Sequence, residues 1–213
     1  MTPPRAHWDA PLQAWFAAQG WRPAPFQRRA WQHYLAGESG LLVTPTGSGK
    51  TLAAFGGPLL EALRLGEAGP APAARRKRGQ ALVARTRILW ITPLRALASD
   101  TVRALQSMVD SLGLAWTIAV RTGDASARDK RLVREAQAEV VVITPESLAL
   151  LLTYPETAER LAGLRAIIVD EWHELLGNKR GVLLQLGLAR LRALAPSVRM
   201  WGLSATLGNL EQA

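Results

Sequence analysis

Among its 213 residues the chain has no cysteine. Disulfides, thiolate catalysis and cysteine-ligated zinc are therefore excluded. Only three histidines occur, His7, His33 and His173, and they are too scattered for a metal-ligand spacing. No apolar run approaches the roughly 20 residues that a membrane helix needs. The start, Met1-Thr2-Pro3-Pro4-Arg5, does not read as a secretory signal. A cytoplasmic location without a membrane partner is the expectation. Lysine is scarce too: of 26 basic residues 22 are Arg and 4 are Lys. GC-rich coding alone produces such a bias, so it says nothing about function.

What is present suits one medium-sized globular domain: 48% apolar and 20% charged residues. Whole-chain disorder, collagen and coiled coil are out. The net charge of +9 points toward nucleic acid, since phosphate backbones are bound by basic surfaces. That charge is uneven. Arg75, Arg76, Lys77, Arg78, Arg85 and Arg87 supply six positives with no acid among residues 75–87, which leaves three for the rest.

Six short apolar runs recur, at 40–45, 87–93, 116–122, 139–145, 166–171 and 198–206. Most are continuous rather than alternating, as strands buried on both faces are. Helical patterns lie between them, at 50–65, 94–110, 125–136, 146–163 and 178–195, and two more precede them near 9–19 and 26–36. Alternation of strand and helix predicts an α/β fold with a mostly parallel sheet and helices on both faces. Residues 66–86 are too long for an ordinary connection and read as a flexible basic insertion. Their tether points place them at the sheet edge opposite the carboxyl ends of the strands. The stop at Glu211-Gln212-Ala213, just inside a new helical pattern, reads as a truncation.

Thr44-Pro45-Thr46-Gly47-Ser48-Gly49-Lys50-Thr51 follows a buried strand and opens a helix, the context a phosphate-binding loop requires. Glycines let backbone N–H groups approach an anion, and the helix N-terminus adds free donors. Lys50 reaches the β/γ-phosphates in such a loop, and the Thr51 hydroxyl ligates Mg²⁺. Thr44 stands where the general pattern has Gly. Asp170-Glu171-Trp172-His173 ends another strand, which delivers Asp170 to the same sheet edge. There Asp170 would hold Mg²⁺, and Glu171 would orient or deprotonate a water.

A TPTGSGKT loop, then DEWH, then Ser204-Ala205-Thr206 at a strand end resembles the first motor domain of superfamily 2 helicases, DEXH group. The resemblance covers nearly the whole chain. It implies a RecA-like P-loop NTPase domain over 37–213, preceded at 1–36 by helices carrying a Q-motif-like segment. Gln27 then resembles the adenine-recognising glutamine, and Thr46, Gly47, Ser48, Gly49, Lys50 and Thr51 hold the nucleotide. Lys50, Asp170 and Glu171 are the catalytic set, with Mg²⁺ on Thr51 and Asp170. His173, Ser204 and Thr206 couple ATP hydrolysis to movement. Arg95, Gly123, Thr144 and Ser147 lie in loops that track the nucleic-acid backbone in that family. The stretch His173–Gly181 is especially similar to large helicase-related (Lhr-like) proteins, and the segment from Trp15 to Gln27 to DNA-ligase-associated DEXH helicases.

Blander readings stay open for several of these. Gln27 could be an exposed helix residue, Arg95 a solvated one, and Thr144 and Ser147 simple caps. Trp21 could lie on adenine or merely pack. Trp90 and Trp201 read as core. The resemblance implies an ATP-dependent DNA helicase or translocase acting in DNA repair, with ATP and Mg²⁺. Its partners would be nucleic acid, DNA before RNA, and a second motor domain and C-terminal domains absent from this chain. Rival readings are an RNA helicase, a translocase subunit of a nuclease or restriction system, and an ATP-switched binding module without motor activity.

Overall fold

The computed structural model describes residues 8–67, 85–93, 95–175 and 177–205. Most of the expected 66–86 insertion lies outside the described residues, as does Thr206.

Helices α1 (Ala10–Ala18) and α2 (Pro25–Leu35) lead in. The alternating part then runs β1 (Gly40–Val43), α3 (Lys50–Arg64), β2 (Ile88–Ile91), α4 (Arg95–Ser111), β3 (Ile118–Arg121), α5 (Ala127–Arg134) and β4 (Val140–Ile143). It continues through α6 (Pro145–Leu151), α7 (Thr157–Arg160), β5 (Ala166–Val169), α8 (Trp172–Leu175), α9 (Lys179–Leu194) and β6 (Arg199–Ser204). The strands form one sheet in the order β1-β6-β5-β2-β4-β3, and every neighbouring pair is parallel.

Strands β2, β4 and β5 are buried at every position. Helices cover both faces, which is why these strands read as unbroken apolar runs. Ile88, Trp90, Val142 and Ile168 meet Trp31, Phe55, Leu105 and Met108 from α2, α3 and α4. Leu89, Ile91, Val141 and Ile167 meet Leu148, Leu151, Leu184 and Leu191 from α6 and α9. Among the described residues no helix is long and apolar enough to cross a membrane.

Two expectations need correction. The helix expected at 146–163 is broken, because α6 stops at Leu151 and α7 starts at Thr157. Pro155 lies between them, and a proline disfavours helix at the residue before it. The other concerns α8, a single helical turn that directly follows the acidic strand end, where the apolar spacing predicts none.

Helix α2 lies directly on the backbone of α3. A Cβ on Gly57 would fall 2.6 Å from Tyr34 Cγ, and one on Gly56 would enter the Trp31 indole. Trp31 Nε1 donates to Leu52 O at 3.2 Å. Tyr34 Oη donates to Glu61 Oε2 at 2.9 Å, and Arg199 Nη2 donates to Glu61 Oε1 at 2.7 Å. The Arg199 guanidinium stacks 4.3 Å above the Tyr34 ring. Burial, then the Glu61 carboxylate, hold the phenol protonated far above its ordinary range. This strut ties α2 and α3 to the amino end of β6. The flanks of the basic insertion are at the same edge: Arg165, just before β5, donates to Glu67 at 2.6 Å, and Thr86 donates to Ala138 O at 3.0 Å.

Gly57→Ala tests the close approach. Overpacking costs about 1–3 kcal/mol, and the better helix propensity of alanine returns about 1 kcal/mol. We expect a net loss of up to about 2 kcal/mol by urea unfolding; a raised midpoint would contradict the packing.

Candidate nucleotide site

Parallel strands carry their carboxyl ends to one edge. Along it stand Thr44, Thr92, Thr122 and Thr144, each just after a strand, with Asp170 after β5 and Ser204 ending β6.

The loop from Thr44 to Gly49 leaves β1 and enters α3. Gly47 and Gly49 take left-handed backbone angles, φ +79° and +89°, open to glycine at little cost. Ser48 N donates to Pro45 O at 3.3 Å, and the Thr44 and Ser48 hydroxyls are 2.6 Å apart. Thr44, the departure from the general pattern, thus fastens the loop through its side chain. Lys50 is buried, at 8% exposure, and its Nζ donates to Thr44 O at 3.0 Å and Pro45 O at 3.3 Å. No side chain caps α3, so its first N–H groups face the loop without a side-chain acceptor. Thr51 is half-buried in the first turn.

Gln27 is buried rather than exposed. Its Oε1 accepts from Ala24 N at 2.8 Å, and its Nε2 donates to Gly49 O at 3.1 Å. The amide therefore braces the loop from α2. A glutamine amide has two donors and two lone pairs, so one of each remains for a ligand. Trp21 is 54% exposed and rests edge-on against Trp15.

Asp170 N donates to Ile91 O at 2.8 Å, which extends the sheet pairing beyond β5. Burial, and then the neighbouring Glu171 charge, push the Asp170 carboxyl up to about 6, while Lys50 pulls the other way. A desolvated carboxylate with too little positive charge around it suits a hard divalent cation. Together with the Thr51 hydroxyl it makes an all-oxygen donor pair that fits Mg²⁺. Glu171 sits at φ +46°, strained for a residue with a side chain. His173 Nδ1 is 3.5 Å from Glu171 Oε2 and 3.2 Å from Ser204 Oγ. Ser204 is fully buried and also donates to Ala205 O at 2.8 Å. The imidazole thus joins the acidic segment to the end of β6.

The outer loops share this edge. Arg95 opens α4. Gly123 is exposed, and its carbonyl accepts from Lys130 Nζ at 3.1 Å. Thr144 is buried and caps α6, accepting from Ser147 N at 3.4 Å and donating to Ser147 Oγ at 3.2 Å. Both hydroxyls are engaged inside the fold. Glu146, beside them, accepts two hydrogen bonds from Arg180 at the start of α9. Burial alone would raise the Glu146 carboxyl, but the Arg180 pairing outweighs it and lowers it. The spacing of Glu146 and Arg180 gave no sign of this pair, nor of the Gln27 brace on Gly49.

Comparison with known proteins bears on the family and the fold. Residues 24–213 match the DEAD/DEAH box helicase family. The ATP-dependent helicase Lhr-Core protein 2 of Thermococcus barophilus is 36% identical over 95% of this chain and 23% of its own length. The Lhr helicase/probable uracil glycosylase of Mycolicibacterium smegmatis is 37% identical over 98% of this chain and 14% of its own. The chain thus spans less than a quarter of these relatives. Among solved structures, Mycobacterium smegmatis helicase Lhr bound to ssDNA and AMP-PNP superposes with a TM-score of 0.74 at 33% identity, over 95% of this chain and 25% of that one.

The brace yields a graded prediction. Alanine at Gly47 meets nothing within 4 Å and carries only left-handed strain, whereas alanine at Gly49 also strikes Gln27 Nε2 at 2.5 Å. By fluorescent-ATP titration, Gly49→Ala should weaken binding at least about tenfold more than Gly47→Ala. Equal losses would rule out the brace.

Proposed function

The chain belongs to the DEAD/DEAH box helicase family, and from this we propose that it is the ATP-binding motor domain of a larger ATP-dependent DNA helicase or translocase. The observation that carries the reading is the phosphate loop closed on Lys50, with the half-buried, desolvated Asp170 carboxyl at the same sheet edge.

Loop amides and Lys50 hold the β- and γ-phosphates. Thr51 and Asp170 hold Mg²⁺, which when bound neutralises phosphate charge. Glu171 orients the attacking water and takes its proton as the water adds to the γ-phosphorus in line; ADP leaves. Gln27 keeps one donor and one acceptor for the adenine edge. Such catalysis is chiefly positioning and charge stabilisation. Ser204 and His173, with Thr206, pass the change at Glu171 to β6. Arg95, Gly123, Thr144 and Ser147 mark the loops over which nucleic acid would run. With Thr144 buried, its loop would contact nucleic acid through backbone more than through the hydroxyl.

DNA is favoured because the similar Mycobacterium smegmatis helicase is described with ssDNA. A repair setting is favoured by the pairing of helicase with uracil glycosylase in the names of two relatives, one from Escherichia coli. A second motor domain would supply arginine fingers worth about 10³–10⁵ in rate, and the cytoplasm is the setting proposed for the whole protein.

The test is DNA-stimulated ATP hydrolysis by the full-length protein. Lys50→Ala should lower it by about a hundredfold or more, and the 213-residue chain alone should be at least about a thousandfold slower than the parent. Ser204→Ala should keep hydrolysis within a fewfold but lose duplex unwinding. Unchanged turnover in Lys50→Ala, or brisk turnover by the chain alone, would refute the proposal; stimulation by RNA but not DNA would replace its substrate.

A further inference from the structure

Trp90 lies on β2 and Asp170 just past β5, on adjacent strands. Trp90 is in register with Ile168, and both belong to the core layer facing α3. Side chains alternate along a strand, so Asp170, two residues beyond Ile168, returns to that same face. Trp90 is completely buried, and its Nε1 has no acceptor at hydrogen-bond geometry.

Packing explains the ring: it meets Phe55 edge-on, with centroids 6.4 Å apart. A phenylalanine would supply the same contact. Packing does not explain the N–H, which is costly to bury unmatched. The register and the shared face turn that N–H toward the Asp170 carboxyl, and a donor there favours the ionised form. One oxygen of the carboxyl, Oδ1, already accepts from Glu171 N at 3.0 Å. An indole is a donor only. It can turn a carboxylate but can neither take its proton nor compete with it for a cation.

We propose that Trp90 is a positioning residue for Asp170, its indole N–H steadying the carboxylate in the orientation that meets the cation of a metal–ATP complex. The proposal rests on the nucleotide reading of this edge, and two measurements on the 213-residue chain separate the two. The first titrates ATP with Mg²⁺ and with chelator. Trp90→Phe should lose roughly tenfold of the Mg²⁺-dependent gain in affinity while keeping the chelator value and the melting temperature. An undiminished gain would overturn the role of Trp90 alone; a wild-type chain with no Mg²⁺-dependent gain would overturn both readings. The second measurement needs no nucleotide and keeps Trp90 in place. The Trp90 indole N–H resonance, assigned through bonds, should move upfield in Asp170→Asn and exchange faster with solvent. A resonance and exchange rate unmoved by Asp170→Asn would overturn the proposal even if Trp90→Phe failed to fold.

Discussion

A buried ammonium must be solvated by something, and here Lys50 is solvated by the carbonyls of its own loop, Thr44 O and Pro45 O. Taking an ion out of water costs several kcal/mol unless polar partners replace the water. The loop meets that need by curling back on the lysine, which requires the left-handed turns at Gly47 and Gly49. It also fixes where phosphate oxygens would bind, because they are better partners for the ammonium than neutral carbonyls.

The rest of the fold keeps that loop in place. From outside, α2 presses on α3 through Gly56 and Gly57 and delivers Gln27 to Gly49. At the amino edge the Tyr34–Glu61–Arg199 strut fixes α2 and α3 to β6. The carboxyl end of β6 bears Ser204, which meets His173 beside Glu171. The nucleotide edge is thus linked to β6 from both ends. The strained backbone of Glu171 lies within that linkage.

Much of this could be read from residue order, and the reason differs by feature. Continuous β-branched runs revealed six strands because burial on both faces removes polar residues. The phosphate loop and the DEWH segment could be read because their chemistry requires adjacent residues. Strand order could not be read, since it depends on crossovers that leave no local mark. Nor could the long-range partners, Gln27 with Gly49 and Glu146 with Arg180. Each joins residues far apart in sequence whose identities suggest many partners. The break at Pro155 was readable in principle, but the apolar spacing on either side concealed it. The +9 net charge is concentrated in residues 75–87. The described flanks of its densest segment, Glu67 and Arg85–Thr86, lie at the amino edge, away from the site.

In the proposed function, Lys50 exchanges its loop carbonyls for phosphate while Asp170 and Thr51 receive the metal. The most direct test is a crystal structure of this chain with a non-hydrolysable ATP analogue and Mn²⁺, the metal located by its anomalous scattering. Lys50 Nζ should then lie on the β/γ-phosphates, free of Thr44 O and Pro45 O, with the manganese between Thr51 and Asp170. A nucleotide bound elsewhere with Lys50 still on its carbonyls, or manganese remote from Asp170, would contradict it.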